Sequence, residues 1–251
     1  VTGDSCETTL VSGASAGIGY HLAERLAAAG DRVILLARRR AELDALAATI
    51  RDRGGTAVVA VADVTDRAGL GAALDAAVAQ TGPITRLVAN AGGGAPTHID
   101  TFDLAATLST LRLNLDGTIH CIDYVLPAMR AAGQGHIVVM GSLAANRGLP
   151  SAAAYSAAKA GVGRFAESLA VDGRAAGIDV TLLEPGFVTK PGKRVKWPRM
   201  SMARATAAMT QVILRRRPYW RGPWILIVAG EVLRLLPSRA YIRLMAGRGR
   251  S

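Results

Sequence analysis

The strongest constraint on this chain is its alternation of short apolar runs with longer amphipathic stretches. Thr8–Ser12, Val33–Ala37, Ala57–Ala62, Thr85–Ala89, His136–Gly141 and Asp179–Glu184 read as strands. Between them, Ile18–Ala29 and residues 41–53, 67–80, 104–132 and 153–176 carry apolar side chains at helical spacing. Gly30, Gly82 and Gly177 stand where helices stop, because glycine accepts the left-handed turn that ends one. Strand then helix, repeated this often, predicts an α/β fold: a doubly wound parallel sheet between two helical layers, α/β/α. The length of 251 residues fits a single domain. The composition, half hydrophobic but only 4% aromatic, suits a parallel sheet covered on both faces.

The turn after the first strand reads Ser12-Gly13-Ala14-Ser15-Ala16-Gly17-Ile18-Gly19. Glycines there permit a tight turn and close approach of a pyrophosphate, and the N–H groups of the following helix face its oxygens. A glycine cluster alone is weak evidence, but the first strand–helix turn of such a sheet is where dinucleotides bind. Beyond the second strand stands Arg38-Arg39-Arg40, with no acid to meet a ribose 2′-hydroxyl. A guanidinium there suits a 2′-phosphate instead.

Tyr155 and Lys159 lie four apart on a predicted helix and share one face. A neighbouring ammonium is expected to lower the Tyr pKa towards the working pH of acid–base chemistry. Only four of the 30 basic residues are lysine: Lys159, Lys190, Lys193 and Lys196. A lysine at this one position suggests a task that arginine does badly.

With its G-x-x-x-G-x-G spacing and Tyr-x-x-x-Lys pair, the chain from about Thr8 to Lys190 resembles the short-chain dehydrogenase/reductase family, whose fold is of Rossmann type. The resemblance implies cofactor contacts from Gly13, Ser15, Gly17, Ile18 and Gly19. It adds Arg38 first and Arg39 second as residues favouring NADP(H) over NAD(H). Asp63-Val64 match the family's adenine-contacting pair, although Asp63 also reads as a helix N-cap. Asn90-Ala91-Gly92 match its N-A-G element, and Pro185, Gly186 and Val188 match the nicotinamide wall. There Thr189 precedes Lys190, which holds the position where many members have the threonine.

The resemblance also implies roles for the catalytic residues. Ser142, thirteen residues before Tyr155, orients the substrate oxygen, Lys159 holds the nicotinamide ribose and tunes Tyr155, and Asn114 supports proton resupply. Read alone, Ser142 is also a loop serine bonding its own backbone.

The expected protein is thus an oxidoreductase moving a hydride between NADP(H) and a ketone or secondary alcohol. Imine reduction, epimerisation or a non-catalytic cofactor-sensing module are alternatives on the same site. The loop after Gly92, residues 143–154 and residues 188–209 are expected to form a substrate pocket lined by small and apolar residues, which favours a lipophilic substrate. Self-association into a homo-oligomer follows from the family resemblance.

Charge is unevenly placed. Residues 191–251 hold 14 Lys and Arg against one acid, Glu231, whereas the rest of the chain is nearly neutral. This segment is expected to serve as a lid and helical tail of the same domain. Arg217–Trp220 reads as a last strand. A helix from Pro223 to Leu236 and a short helix from Ser238, as N-cap, to Ala246 follow, although Gly222–Gly230 also fits a strand. The mixture of Trp and Arg suits solvated packing, a membrane surface or an acidic acyl carrier. No nucleic-acid module is visible. Cys6 and Cys121 form neither a metal pattern nor a disulfide framework, and no signal-peptide pattern opens the chain, so a cytoplasmic protein without bound metal is expected.

Overall fold

In the computed structural model, which describes residues 6–189 and 192–247, the chain alternates as its pattern requires. In order run β1 (Thr8–Ser12), α1 (Gly17–Ala28), β2 (Arg32–Ala37), α2 (Arg40–Asp52), β3 (Thr56–Val61), α3 (Arg67–Thr81) and β4 (Arg86–Ala89). Then come α4 (Leu104–Leu111), a π-helical turn (Arg112–Asp116), α5 (Gly117–Ala132), β5 (Gly135–Met140), α6 (Ala153–Gly173) and β6 (Ile178–Pro185). The remainder comprises β7 (Val188–Thr189), β8 (Met200–Ser201), α7 (Met202–Leu214), β9 (Tyr219–Gly222), α8 (Trp224–Leu235) and α9 (Ser238–Met245).

Seven strands form one parallel sheet in the order β3-β2-β1-β4-β5-β6-β9. Alternate side chains feed two cores. Val11, Val33, Leu35 and Val138 meet Leu22 and Leu26 of α1, Leu43 and Leu46 of α2, and Met209 of α7. Leu10, Ile34, Leu36 and Val139 meet α3, α5 and α6 through Leu74, Val125 and Val162. The strand order reverses between β1 and β4, so the crevice beyond their carboxyl ends is the site that this topology offers a ligand.

Four elements depart from the expectation. The region 104–132 is not one helix, because the π turn at Arg112–Asp116 interrupts it. Side-chain bonds accompany the turn: the Asn114 amide donates to the Thr110 carbonyl (2.8 Å), and Thr118 Oγ1 donates to the carbonyl of Asn114 (2.9 Å). Asp66, not Asp63, caps α3, accepting from Gly69 N (3.1 Å). Pro237, not Ser238, is the half-in residue before α9, since its extended backbone directs its carbonyl to Tyr241 N (3.0 Å). In the tail, the helical reading of the segment after Pro223 is the one adopted, and β9 begins two residues later than expected, pairing Leu182 with Tyr219.

At the amino ends of the strands a partly buried ionic cluster ties the tail to the sheet. Arg86 pairs with Asp31 and, at 3.2 Å, with Glu7, and Arg216 reaches Glu7 (2.6 Å) and Asp179 (2.9 Å). Burial, with the Arg86 and Arg216 charges, pushes His136 down to about 3. Its imidazole is therefore neutral, accepting from Arg86 Nε (3.2 Å) and donating to Thr181 Oγ1 (2.8 Å). No described helix is long and apolar enough to cross a membrane.

Candidate active site

A cleft of about 880 Å³ opens at the carboxyl end of the sheet, over the β1–β4 switch. Gly13, Ser15, Gly17 and Ile18 form its floor. Gly13 (φ +69°) has no room for a side chain: a Cβ would lie 2.9 Å from Ala91 Cα. Gly17 (φ +62°) is different. Where its Cβ would stand there is no atom within 4 Å, so the backbone is bare to the cleft. Ala16, the N-cap of α1, offers no side-chain acceptor to the first-turn N–H groups. A bare, left-handed glycine before an uncapped helix N-terminus is a cradle that a pyrophosphate fits.

Gly19 lies beneath this floor. It is buried, and a Cβ there would strike Asn90 Nδ2 and the Gly13 carbonyl. Asn90 braces the turn, donating its amide to the Ser12 carbonyl (3.0 Å) and to the Gly13 carbonyl (3.4 Å). Ser12 Oγ in turn accepts from the N–H groups of Asn90 and Ala91, both at 3.0 Å. That hydroxyl clips β1 to the end of β4, a role the sequence does not advertise.

Arg38, Arg39, Asp63 and Val64 stand at one end of the cleft. Arg39 donates to Ser15 Oγ from Nε (3.2 Å) and Nη2 (2.9 Å), and so leans over the glycine turn. Arg38 pairs with Asp63 at 3.3 Å. Partial burial alone would raise the Asp63 pKa, but bonds from the Thr65 N–H (2.9 Å) and hydroxyl (2.8 Å), with Arg38, hold it below the usual carboxylate range.

Ser142, Tyr155 and Lys159 converge at the other end with Ala91, Gly92, Pro185, Gly186 and Val188. α6 presents Tyr155 and Lys159 one turn apart, and β5 delivers Ser142 just past its end. The Ser142 and Tyr155 side chains are hydrogen-bonded to each other. Ser142 Oγ also accepts from Ala144 N (3.1 Å), so its local backbone role and its site role coexist.

Lys159 is buried and donates from Nζ to the Met140 carbonyl (2.7 Å), with Nζ 5.8 Å from the Tyr155 ring centre. Desolvation pushes its pKa down to about 8. The expected lowering of the Tyr155 pKa is not what this arrangement produces. Burial raises it, and the bond with Ser142 only partly opposes that. The phenol is accordingly an acid that keeps its proton at neutral pH.

Asn114 does not line the cleft. It is fully buried behind the wall, accepting from Gly93 N (3.2 Å) and donating to Gly93 O (2.5 Å). Gly92 fits between Asn114 and Lys159 only because it lacks a Cβ, which would lie 2.7 Å from Asn114 Oδ1 and 3.3 Å from Lys159 Nζ.

Sequence reasoning missed other lining residues, among them Leu113, Met140 and Gly141. Strand and helix ends alone did not distinguish these from core. The expected wall at residues 188–209 is only partly there. Val188 lines the cleft, whereas Thr189, Val195, Ser201, Met202, Ala203 and Thr206 border a separate hollow with His21 and Arg25 of α1 and Arg53 just past α2. The reason is packing: Ala205 and Met209 of α7 are committed to the core against α1. α8 packs behind Gly186 of the cleft, where a Cβ on Gly186 would lie 2.7 Å from Leu226 Cδ1 and 3.0 Å from Leu143 Cδ1. Lys190 lies outside the described residues.

Residues 7–199 match the family profile described as short chain dehydrogenase. An uncharacterized oxidoreductase of Myxococcus xanthus is 35% identical over 241 residues, covering 94% of this chain and 95% of the relative. The cis-4-hydroxycyclohexanecarboxylate dehydrogenase of Sinomonas cyclohexanicum is 37% identical over 183 residues, 72% of this chain and 73% of the relative. Among solved structures, a gluconate 5-dehydrogenase from Burkholderia cenocepacia in complex with NADP and tartrate superposes with a TM-score of 0.79. It is 26% identical, and the match covers 88% of this chain and 95% of that one.

Proposed function

The chain belongs to the short-chain dehydrogenase family, and from that premise we propose that it is an NADP(H)-dependent carbonyl reductase or alcohol dehydrogenase with Tyr155 as its general acid and base. That it is a nicotinamide-dependent oxidoreductase acting on alcohol and ketone groups follows from membership. The finer reading rests on one observation: Ser142, Tyr155 and Lys159 line the same cleft as Arg38 and Arg39, with Ser142 following β5 and the arginines following β2 on the other side of the β1–β4 switch.

When bound, the nicotinamide gives a hydride to the carbonyl carbon or takes one from the carbinol. The protein's own groups do the rest. Ser142 Oγ holds the substrate oxygen. Tyr155 Oη–H gives that oxygen its proton during reduction and takes it back during oxidation. The Lys159 ammonium stabilises the phenolate left behind. Asn114 is a positioning residue, holding Gly93 so that Gly92 stays against Lys159.

The pH dependence follows from these groups. Tyr155 keeps its proton through neutral pH, and Lys159 loses its own near 8. Ketone reduction is therefore expected to be flat below that value and to fall above it, as initial rates of NADPH oxidation would record. A rate that climbs steadily into the alkaline range would remove Lys159 from this role.

Arg38 and Arg39 support the NADP(H) preference, since no acid stands at the end of β2 and Arg39 already reaches the glycine turn through Ser15. Charge-assisted bonds to a 2′-phosphate contribute about 1.5–3 kcal/mol. Arg38→Ala and Arg39→Ala are each expected to weaken NADPH binding about 10- to 100-fold, leaving NADH binding nearly unchanged, as read by quenching of nucleotide fluorescence. Equal losses for both nucleotides would sink the preference.

Leu143 and Leu226 pack close to Gly186 at the edge of the cleft, which favours a lipophilic ketone or secondary alcohol. Screening ketones against NADPH oxidation tests the whole reading. Absence of both nucleotide binding and turnover across the panel would overturn it.

A further inference from the structure

We propose that the outer face of α8 and α9 is a docking surface for an anionic lipid bilayer. α8 is apolar on two sides. Its inner side packs on the segment after Ser142, with Leu226 near Leu143 and Gly230 so close to Asn146 that a Cβ would lie 2.9 Å from its Nδ2. Its outer side carries Trp224, Val228, Val232 and Leu235, at i, i+4, i+8 and i+11. These are 70%, 54%, 56% and 75% exposed. At the helical rise this is a stripe about 16 Å long on one face. On α9, Ile242 and Leu244 are also exposed. Contiguous apolar surface with a charged border marks an interaction site rather than scattered exposure.

The charge identifies the occupant. Glu231 is the sole acid of residues 191–251, and it is held by Arg221 and Arg234, both at 2.7 Å. Arg239 and Arg243 on α9 are exposed, with no ion pair among the described residues. An apolar stripe bordered by unpaired arginine suits acyl chains beneath anionic headgroups. A second copy of the same face would set arginine against arginine, with no carboxylate free to pair. The twelve residues of α8 are too short to span a bilayer, so the helix lies along the surface, with Trp224 at headgroup depth.

The face is rigidly mounted. Tyr241 is buried, its hydroxyl donating to the Gly148 carbonyl, and Arg147 stacks on its ring at 4.5 Å. Arg147 Nη1 also donates to the Arg234 carbonyl (2.9 Å). Docking would therefore set the segment that follows Ser142, and with it the substrate side of the cleft, next to the lipid.

The test is co-sedimentation of the full chain with vesicles of phosphatidylcholine alone or with added phosphatidylserine. Partitioning onto the anionic vesicles is expected to be at least about tenfold stronger, and to fall about fivefold for each of Arg239→Gln and Arg243→Gln. Val228→Glu should abolish it while NADPH binding persists. Circular dichroism checks that each variant is folded, and the arginine variants stand if Val228→Glu does not fold. Equal partitioning onto both vesicles, none onto either, or no effect of these substitutions would overturn the proposal. So would a dimer in sedimentation velocity that Val228→Glu dissolves, which would assign the face to a second copy. The readout does not involve turnover, so it stands or falls apart from the proposed reaction.

Discussion

Tyr155→Phe should leave a protein that binds NADPH as before and reduces its ketone about 10²- to 10⁴-fold more slowly, the range set by loss of a positioned general acid. The ring is kept, so the packing of α6 is preserved. What is lost is the hydroxyl that carries the proton and bonds with Ser142. Burial holds that proton on the phenol at neutral pH, so the wild-type group starts reduction in its acid form. Single-turnover absorbance of the reduced nicotinamide, paired with a fluorescence titration of NADPH, separates the chemical step from binding. Turnover within tenfold of wild type would show that another group moves the proton, and the site would need a different acid.

Lys159→Met is expected to divide function from stability. Turnover should fall at least about 100-fold, because the phenolate loses its ammonium. Folding should not suffer in proportion. Burial lowers the Lys159 pKa from 10.5 to about 8, which costs the folded state about 3 kcal/mol at neutral pH. Methionine removes that cost but leaves the Met140 carbonyl without its donor, a loss of about 1–3 kcal/mol. The net change at neutral pH therefore lies between about zero and a gain of about 2 kcal/mol.

The sign of the pH dependence follows. Below about 8 the lysine is charged in both folded and unfolded chains, and its full cost applies. Between about 8 and 10.5 the folded state has released the proton and the unfolded chain has not, so wild-type stability from this group rises with pH. Any advantage of the variant should shrink across that window in urea melts. A variant several kcal/mol less stable at neutral pH would mean that Lys159 is a structural donor first.

Most of the site was legible because its determinants are local. Tyr155 and Lys159 share a helix face by spacing alone, and the glycine turn announces itself by left-handed positions that other residues adopt at a cost. Less legible were groups whose roles depend on partners far along the chain. Ser12 bonds to Asn90 across 78 residues, and Arg39 finds Ser15 across 24. Asn114 sits behind the cleft because a π turn and the Gly93 backbone draw it there, and neither follows from an asparagine in a helical pattern. The pKa of Tyr155 moved opposite to expectation because burial, a property of the whole fold, outweighs the hydrogen bond with Ser142 that opposes it.

The sequence by itself determined the alternating elements, the glycine cradle, the tyrosine–lysine pair and the arginines beyond β2, since periodicity, φ preference and charge act over a few residues. Tertiary structure alone decided how the groups are arranged along the cleft, that α7 turns into the core while α8 packs behind Gly186, and that the tail keeps an apolar stripe exposed. Those outcomes depend on which surfaces meet when one sheet buries both its faces, and no local pattern encodes that competition.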